Sequence, residues 1–417
     1  MDKHYPIILS GVLVLMISLT GCGQTSAIAK PAASTLRPAH VFHKIIKNTI
    51  NGWYIAKKIP TDIYNTIPLL SIAANHTVVM GMGSVVANSH ASMETLSLVD
   101  TGQRYARRTI SLGYRGILSS LVSTPNGQLV IAASSTGAHG LVSVLNIHSL
   151  AISRAIVVGE DPHQIVVTPH SRFAFVMNAG GNTVTEIDLR TDTVVQTIKV
   201  GATPISMVIS PNGRYLYVLN SGVDGPPGSL SIFDRSTGNI KTVIIQRYMY
   251  HMAITPDGGS IVATNPSLPV MYVVGMGAGN RLSWIDVGKN LSDVIASPAD
   301  SHIVAAFQQR SNHVLVVNIA TKKTVLTVPI QSGISALTFT PAGDHLLVLT
   351  SGSDNPPYGF LKIISLKQSK VTSIPIGFTQ SFAISKDGKM MAIFGGSSGN
   401  ELIVLKKRAH STPDSVS

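Results

Sequence analysis

Short segments that alternate apolar and polar positions recur along most of the chain, and many are joined by one kind of turn. Ile205-Ser206-Met207-Val208-Ile209 leads into Ser210-Pro211-Asn212-Gly213, and Tyr215-Leu216-Tyr217-Val218-Leu219 leads out. Alternation at a period of two marks half-buried strands, so this stretch predicts a β-hairpin. The turn has a mechanism: Pro pre-sets φ at the second position of a type I turn, Asn or Asp suits the third and Gly the fourth. Versions of it follow Thr124, Thr168, Thr255, Ser297, Thr340 and Ser385. The second positions fall at 125, 169, 211, 256, 298, 341 and 386, spaced by 44, 42, 45, 42, 43 and 45 residues.

Two further markers keep the same register. Ile232-Phe233-Asp234 precedes Ser236-Thr237-Gly238, with counterparts at Val99-Asp100, Ile187-Asp188 and Val317-Asn318. Strand-like stretches end in Leu112-Gly113, Val158-Gly159, Val200-Gly201, Val287-Gly288 and Ile376-Gly377. Each unit of about 43 residues therefore predicts four short antiparallel strands, the composition of a propeller blade. Leu216-Tyr217-Val218-Leu219-Asn220, Phe175-Val176-Met177-Asn178 and Ala263-Thr264-Asn265, with the Pro-Asn/Asp-Gly turns, resemble the YVTN family of β-propeller repeats. That resemblance spans most of residues 60–405 and implies an all-β propeller, without implying a reaction.

A degenerate unit precedes the first clear turn, with Val78-Val79-Met80, Leu96–Asp100 and Arg108–Gly113 as its strands. The last unit stops after its third strand, Leu402–Leu405, while Gly52–Pro60 looks like a fourth strand with no other three. Pairing these would close the ring and remove exposed sheet edges. Eight blades are expected, with seven the alternative.

The first thirty residues have another character. Lys3 and His4 precede an apolar run from Ile7 to Leu19, too short for a stable span of about 20 residues and suited to a secretory signal. Leu19-Thr20-Gly21-Cys22 resembles the lipobox of bacterial lipoproteins, which implies cleavage before Cys22 and a diacylglycerol on its thiol; Cys22 is the one cysteine in the chain. The expected organisation is a signal peptide over 1–21, a basic tether over 22–50, a propeller over 51–406 and a disordered tail over 407–417. No acidic residue occurs between Gly23 and Asp62, while Lys30, Arg37, Lys44, Lys47, Lys57 and Lys58 do. The lipobox resemblance implies a protein at a cell membrane, lipid-anchored on the extracytoplasmic face, either outer surface or periplasm.

Composition sharpens the picture. In 417 residues, 44% are hydrophobic and 12% charged, which excludes a disordered chain. The net charge of +12 allows an anionic cell-wall polymer as partner beside a protein partner. Nucleic acid is disfavoured because no aromatic-basic stripe is present.

Catalytic motifs are not found: there is no Gly-x-Ser-x-Gly elbow, His-Glu-x-x-His pair or phosphate loop. The histidines and methionines show no metal-ligand spacing, so no cofactor or metal is assigned, although some propeller relatives carry haem or metals or open lactones. In a propeller, the fourth-to-first and second-to-third strand loops share one face, opposite the Pro-Asn/Asp-Gly turns. That face is expected to collect Arg115, His163, Arg247, Tyr250 and His251 near the channel mouth, with Glu160, Asp161, Asn290 and Asp293 beside them. Two similar loops, Ser221–Gly228 around Asp224 and Ser351–Gly359 around Asp354, would wall the same face. The leading expectation is a ligand- or protein-binding scaffold module. The alternatives are a propeller enzyme, either a lactonase-like hydrolase or a cofactor-dependent oxidoreductase, and a polyanion-binding protein.

Overall fold

The computed structural model describes residues 53–61, 69–73, 76–82, 93–137, 139–222, 226–277, 279–308, 312–330, 333–351, 359–396 and 400–408, together with a pair of two-residue strands, Ile8–Leu9 and Val12–Leu13. Eight four-stranded antiparallel sheets make up the body, with no helix among the described residues. Blade 4 is typical: Pro204–Ile209, Tyr215–Asn220, Ser229–Asp234 and Asn239–Ile244 pair in sequence order. The first strands of blades 1 to 8 are Leu69–Ile72, Ile117–Ser123, Pro162–Val167, Pro204–Ile209, His251–Ile254, Leu291–Ala296, Ile334–Phe339 and Phe378–Ile384. Each touches the next, and the last returns to Leu69–Ile72, so these inner strands form a closed ring.

Eight blades are present, and the expected closure is real. Trp53–Pro60 pairs antiparallel with Glu401–Lys407, from Trp53 opposite Lys407 to Pro60 opposite Glu401. Thr61 N and Oγ1 both donate to the Asn400 carbonyl at 2.9 Å. Trp53 is buried with Phe382, Ile403, Leu347 and Leu361, so the closing strand is also sealed by the core between blades 7 and 8.

The core lies between blades rather than inside a sandwich. Phe175, Met177 and Val184 of blade 3 pack on Met207, Leu216, Val218 and Phe233 of blade 4. Middle strands are covered on both faces and read as continuous apolar runs, whereas the outer strand Thr193–Lys199 is exposed almost throughout. Met80, Met177 and Met207 are fully buried, consistent with methionine filling irregular gaps. A half-buried ion pair crosses the same seam: Arg235 Nε and Nη2 donate to Glu186 Oε1 at 2.9 and 2.7 Å, and Gln196 Nε2 donates to Oε2 at 2.7 Å.

The turn motif proves to be a small hydrogen-bonded device. At Thr255-Pro256-Asp257-Gly258, the Gly258 amide donates to the Thr255 carbonyl at 2.8 Å. Thr255 Oγ1 donates to Asp257 Oδ1 at 2.5 Å and accepts from the Ser260 amide at 3.0 Å. Gly258 sits at φ 70°, and a Cβ there would lie 3.2 Å from Pro211 Cδ in the neighbouring turn. The Gly388 and Gly213 turns likewise meet Pro341 and Pro169, so successive turns stack edge to edge around this face.

Candidate functional site

The opposite face is built by the connections into the inner strands. In blades 2, 3, 4, 6, 7 and 8 the inner strand begins with a break in ladder register, between Leu118 and Ser120, Pro162 and Gln164, Pro204 and Ser206, Leu291 and Asp293, Ile334 and Ala336, and Thr379 and Ser381. Such bulges re-aim side chains at the rims of closed sheets. Just before the inner strands of blades 3, 4, 5 and 6, a non-glycine residue adopts left-handed φ: Asp161 at 50°, Thr203 at 55°, Tyr248 at 60° and Asn290 at 67°. Asp and Asn tolerate that region, but a β-branched Thr and a bulky Tyr are strained there.

Blades 4 and 5 hold the most elaborate part of this rim. The Ser221 amide donates to the Thr203 carbonyl at 2.9 Å, and the Tyr248 amide donates to the Ser221 carbonyl at 3.1 Å. One residue thus ties both strained connections together. Asn265 Nδ2 donates to the Arg247 carbonyl at 2.9 Å, and the Ile245 amide to the Gly228 carbonyl at 2.9 Å. The foot of the Pro226-Pro227 loop therefore rests on the segment that carries Arg247 and Tyr250. Ser206 Oγ, Ser221 Oγ, Thr264 Oγ1 and His251 Nε2 are buried here with no hydrogen-bond partner among the described residues.

The sequence-predicted residues divide into two groups. Arg247 is exposed and Tyr250 half-buried on the Ile245–Tyr250 connection. His163 is half-buried at a bulge, its Nδ1 3.7 Å from Asp161 Oδ2, and this contact holds the Asp161 carboxyl below its ordinary value. His251 is 2% exposed, which makes it an internal residue of the seam and not a surface contact. Its Nδ1 lies 3.3 Å from Asp293 Oδ1, across the blade 5 to blade 6 boundary, and Asp293 Oδ1 also accepts from the Val294 amide at 2.8 Å. Arg115 stands apart from them, exposed at the end of the outermost strand of blade 1, Ala106–Arg115. Cys22, Asp224 and Asp354 lie outside the described residues.

Sequence reasoning missed Thr203, and it put Tyr248 on this face only as part of the Arg247–His251 run, without its backbone strain. Aligning the Val-Gly ends would have flagged part of the pattern, because Asp161, Thr203 and Asn290 each lie two residues after Gly159, Gly201 and Gly288. It also missed Glu94, which is buried between blades 1 and 2. Glu94 Oε2 accepts from the Ser134 hydroxyl, Oε1 has no partner, and burial pushes the carboxyl up to about 7 against the opposing pull of that hydrogen bond. Among the described residues, no three His, Cys, Asp or Glu side chains gather closely enough to hold a metal ion.

Comparison with known proteins agrees with this architecture. No curated protein sequence matches the chain. Among solved structures, a chain of Kuenenia stuttgartiensis hydrazine synthase is similar in fold, with a TM-score of 0.53 and 16% identity over 85% of this chain and 99% of that one. The family model described as YNCE-like beta-propeller matches residues 119–412, well over half of the sequence, and this chain belongs to that family.

Proposed function

We propose that this protein is a lipid-anchored, extracytoplasmic binding module whose ligand site lies on the rim at blades 3 to 6, centred on Arg247, Tyr248 and Tyr250. The observation that carries the reading is backbone strain: Thr203 and Tyr248 are both held at left-handed φ and are tied together through Ser221. Strain of this kind costs about 1–3 kcal/mol per residue and persists where the surroundings over-determine a useful geometry. The buried, unpartnered Ser206, Ser221 and Thr264 hydroxyls behind the rim supply polar capacity that a bound molecule or a reorganised connection would use. His251 and Asp293 act as positioning residues, fixing the strand that follows Tyr250. Leu19-Thr20-Gly21-Cys22 supports the anchor, with the thiol of Cys22 as the acylated atom.

A thermal-shift screen of monosaccharides and small carboxylates tests the site, since a ligand at 100 times its Kd stabilises by about 2.7 kcal/mol. A shift that is lost in Arg247→Ala and Tyr250→Phe, and weakened in Asp293→Asn, is the expected result. A ligand whose shift survives all three substitutions binds elsewhere and removes this assignment.

A further inference from the structure

The face that carries the stacked turns is unevenly charged. On blades 3 and 4 three of its arginines are matched: Arg172 Nη2 lies 3.3 Å from Asp188 Oδ2, Arg214 Nη2 2.7 Å from Asp234 Oδ2 and Arg235 Nη2 2.7 Å from Glu186 Oε1. Across blades 8 and 1 the balance is different. Three segments meet there, residues 100–108, 385–389 and 406–408, and together they carry eight Lys and Arg against Asp100 and Asp387. Both carboxylates are committed locally. Asp100 Oδ1 accepts from the Gly102 and Gln103 amides at 2.8 and 3.0 Å. Asp387 Oδ1 accepts from the Ser385 hydroxyl at 2.6 Å and the Lys389 amide at 3.0 Å, and Oδ2 lies 3.0 Å from His76 Nε2.

The segments are held together as one surface. Lys406 Nζ donates to the Thr101 carbonyl at 3.2 Å and lies 5.6 Å from the Tyr105 ring centre. The Lys407 amide donates to the Lys389 carbonyl at 2.8 Å, and the Arg408 guanidinium lies 5.9 Å from the Tyr54 ring centre. Arg104, Arg108, Lys386, Lys389 and Arg408 are exposed. Trp53 pairs with Lys407, so the chain joins the ring at this same edge. The residues that lead into it include Lys30, Arg37, Lys44 and Lys47 with no carboxylate.

We propose that this sector of blades 8 and 1 docks the propeller on an anionic lipid bilayer, with the turn face toward the headgroups and the rim at blades 3 to 6 left free. An extended anionic surface fits a cationic sector shared among three segments at the point where the chain joins the ring. The tyrosines of the sector already sit beneath Lys406 and Arg408, which leaves no free aromatic platform for stacked bases. This deepens the membrane side of the function proposed above. It rests on the anchor only for orientation, because the patch itself belongs to the folded ring.

The test uses the chain from residue 23 onward, which contains every strand of the ring and no acylated thiol, so absence of lipidation at Cys22 cannot decide it. Co-sedimentation compares vesicles of phosphatidylcholine alone with vesicles that also contain phosphatidylglycerol. Binding is expected only with phosphatidylglycerol and is expected to fall as salt is raised. The combined variant Arg104→Gln, Lys389→Gln, Lys407→Gln, Arg408→Gln is expected to weaken partitioning by about 100-fold or more, while Arg115→Gln with Arg247→Gln on the other face leaves it unchanged. If the fourfold variant melts lower than the parent, Arg104→Gln with Arg108→Gln at exposed positions is read in its place. The proposal is overturned if these variants bind as the parent does, if Lys44→Gln with Lys47→Gln alone abolishes binding, or if duplex DNA or a wall polymer is bound in preference to the vesicles.

Discussion

Glu94 enters the seam between blades 1 and 2 with the Ser134 hydroxyl as the partner of one oxygen and none for the other. Its folded value of about 7 lies above the ordinary 4.5, so the folded protein keeps this proton over a range in which the unfolded chain has lost it. The stability linked to it is fully present below pH ~4.5 and is lost as pH rises toward 7; the loss is on the order of 3 kcal/mol. Glu94→Gln should therefore melt higher than the parent at pH 8 and show a shrinking advantage as pH falls to 5, measured by calorimetry across that range. A constant difference at all pH values would mean that the carboxyl ionises normally. Nothing in the local sequence marks this residue, because Met93-Glu94-Thr95 reads as any strand. The ladder loses register between Met93 and Thr95, and only cross-strand pairing sets that irregularity. The same holds for Thr203 and Tyr248, whose φ values follow from the bonds that Ser221 makes to both.

The turn is the element that was most legible, because Ser or Thr, Pro, Asn or Asp and Gly each act within five residues of one another. Structure adds a relation between turns that no single repeat reveals: Pro169, Pro211 and Pro341 seat against Gly213, Gly258 and Gly388 of the next blade. Gly258→Ala combines left-handed φ with that close approach and should cost about 1–2 kcal/mol. Urea denaturation should show a lower midpoint with an unchanged slope; an unaltered midpoint would show that the turn relaxes freely. The inner strands were less legible than the turns, since their bulges displace His163 and its neighbours out of simple alternation. His251 was read from sequence as a contact residue. The pairing of His251 with Thr264, on a strand covered from both sides, places it inside the seam and makes its role one of position.

For the whole molecule, a repeat register kept through seven turns was enough to give the architecture, and two incomplete units at the chain ends gave the closure. The rim could not be read in the same way. Its residues come from connections more than 40 positions apart, and only ring geometry brings them to one arc. Deleting residues 45–60 should lower the melting temperature and leave Glu401–Lys407 as an open edge that self-associates, visible by light scattering; an unchanged melting temperature would show that the ring does not need its clasp. That clasp also sets a timetable for biosynthesis. Trp53–Pro60 leaves the ribosome about 340 residues before its partner Glu401–Lys407, which at ordinary elongation speeds is a wait of roughly 20–70 s. Throughout that interval the earliest-made strand has no mate, and a nascent chain that stalls before residue 400 can never become a finished wheel, however many of its blades are already complete.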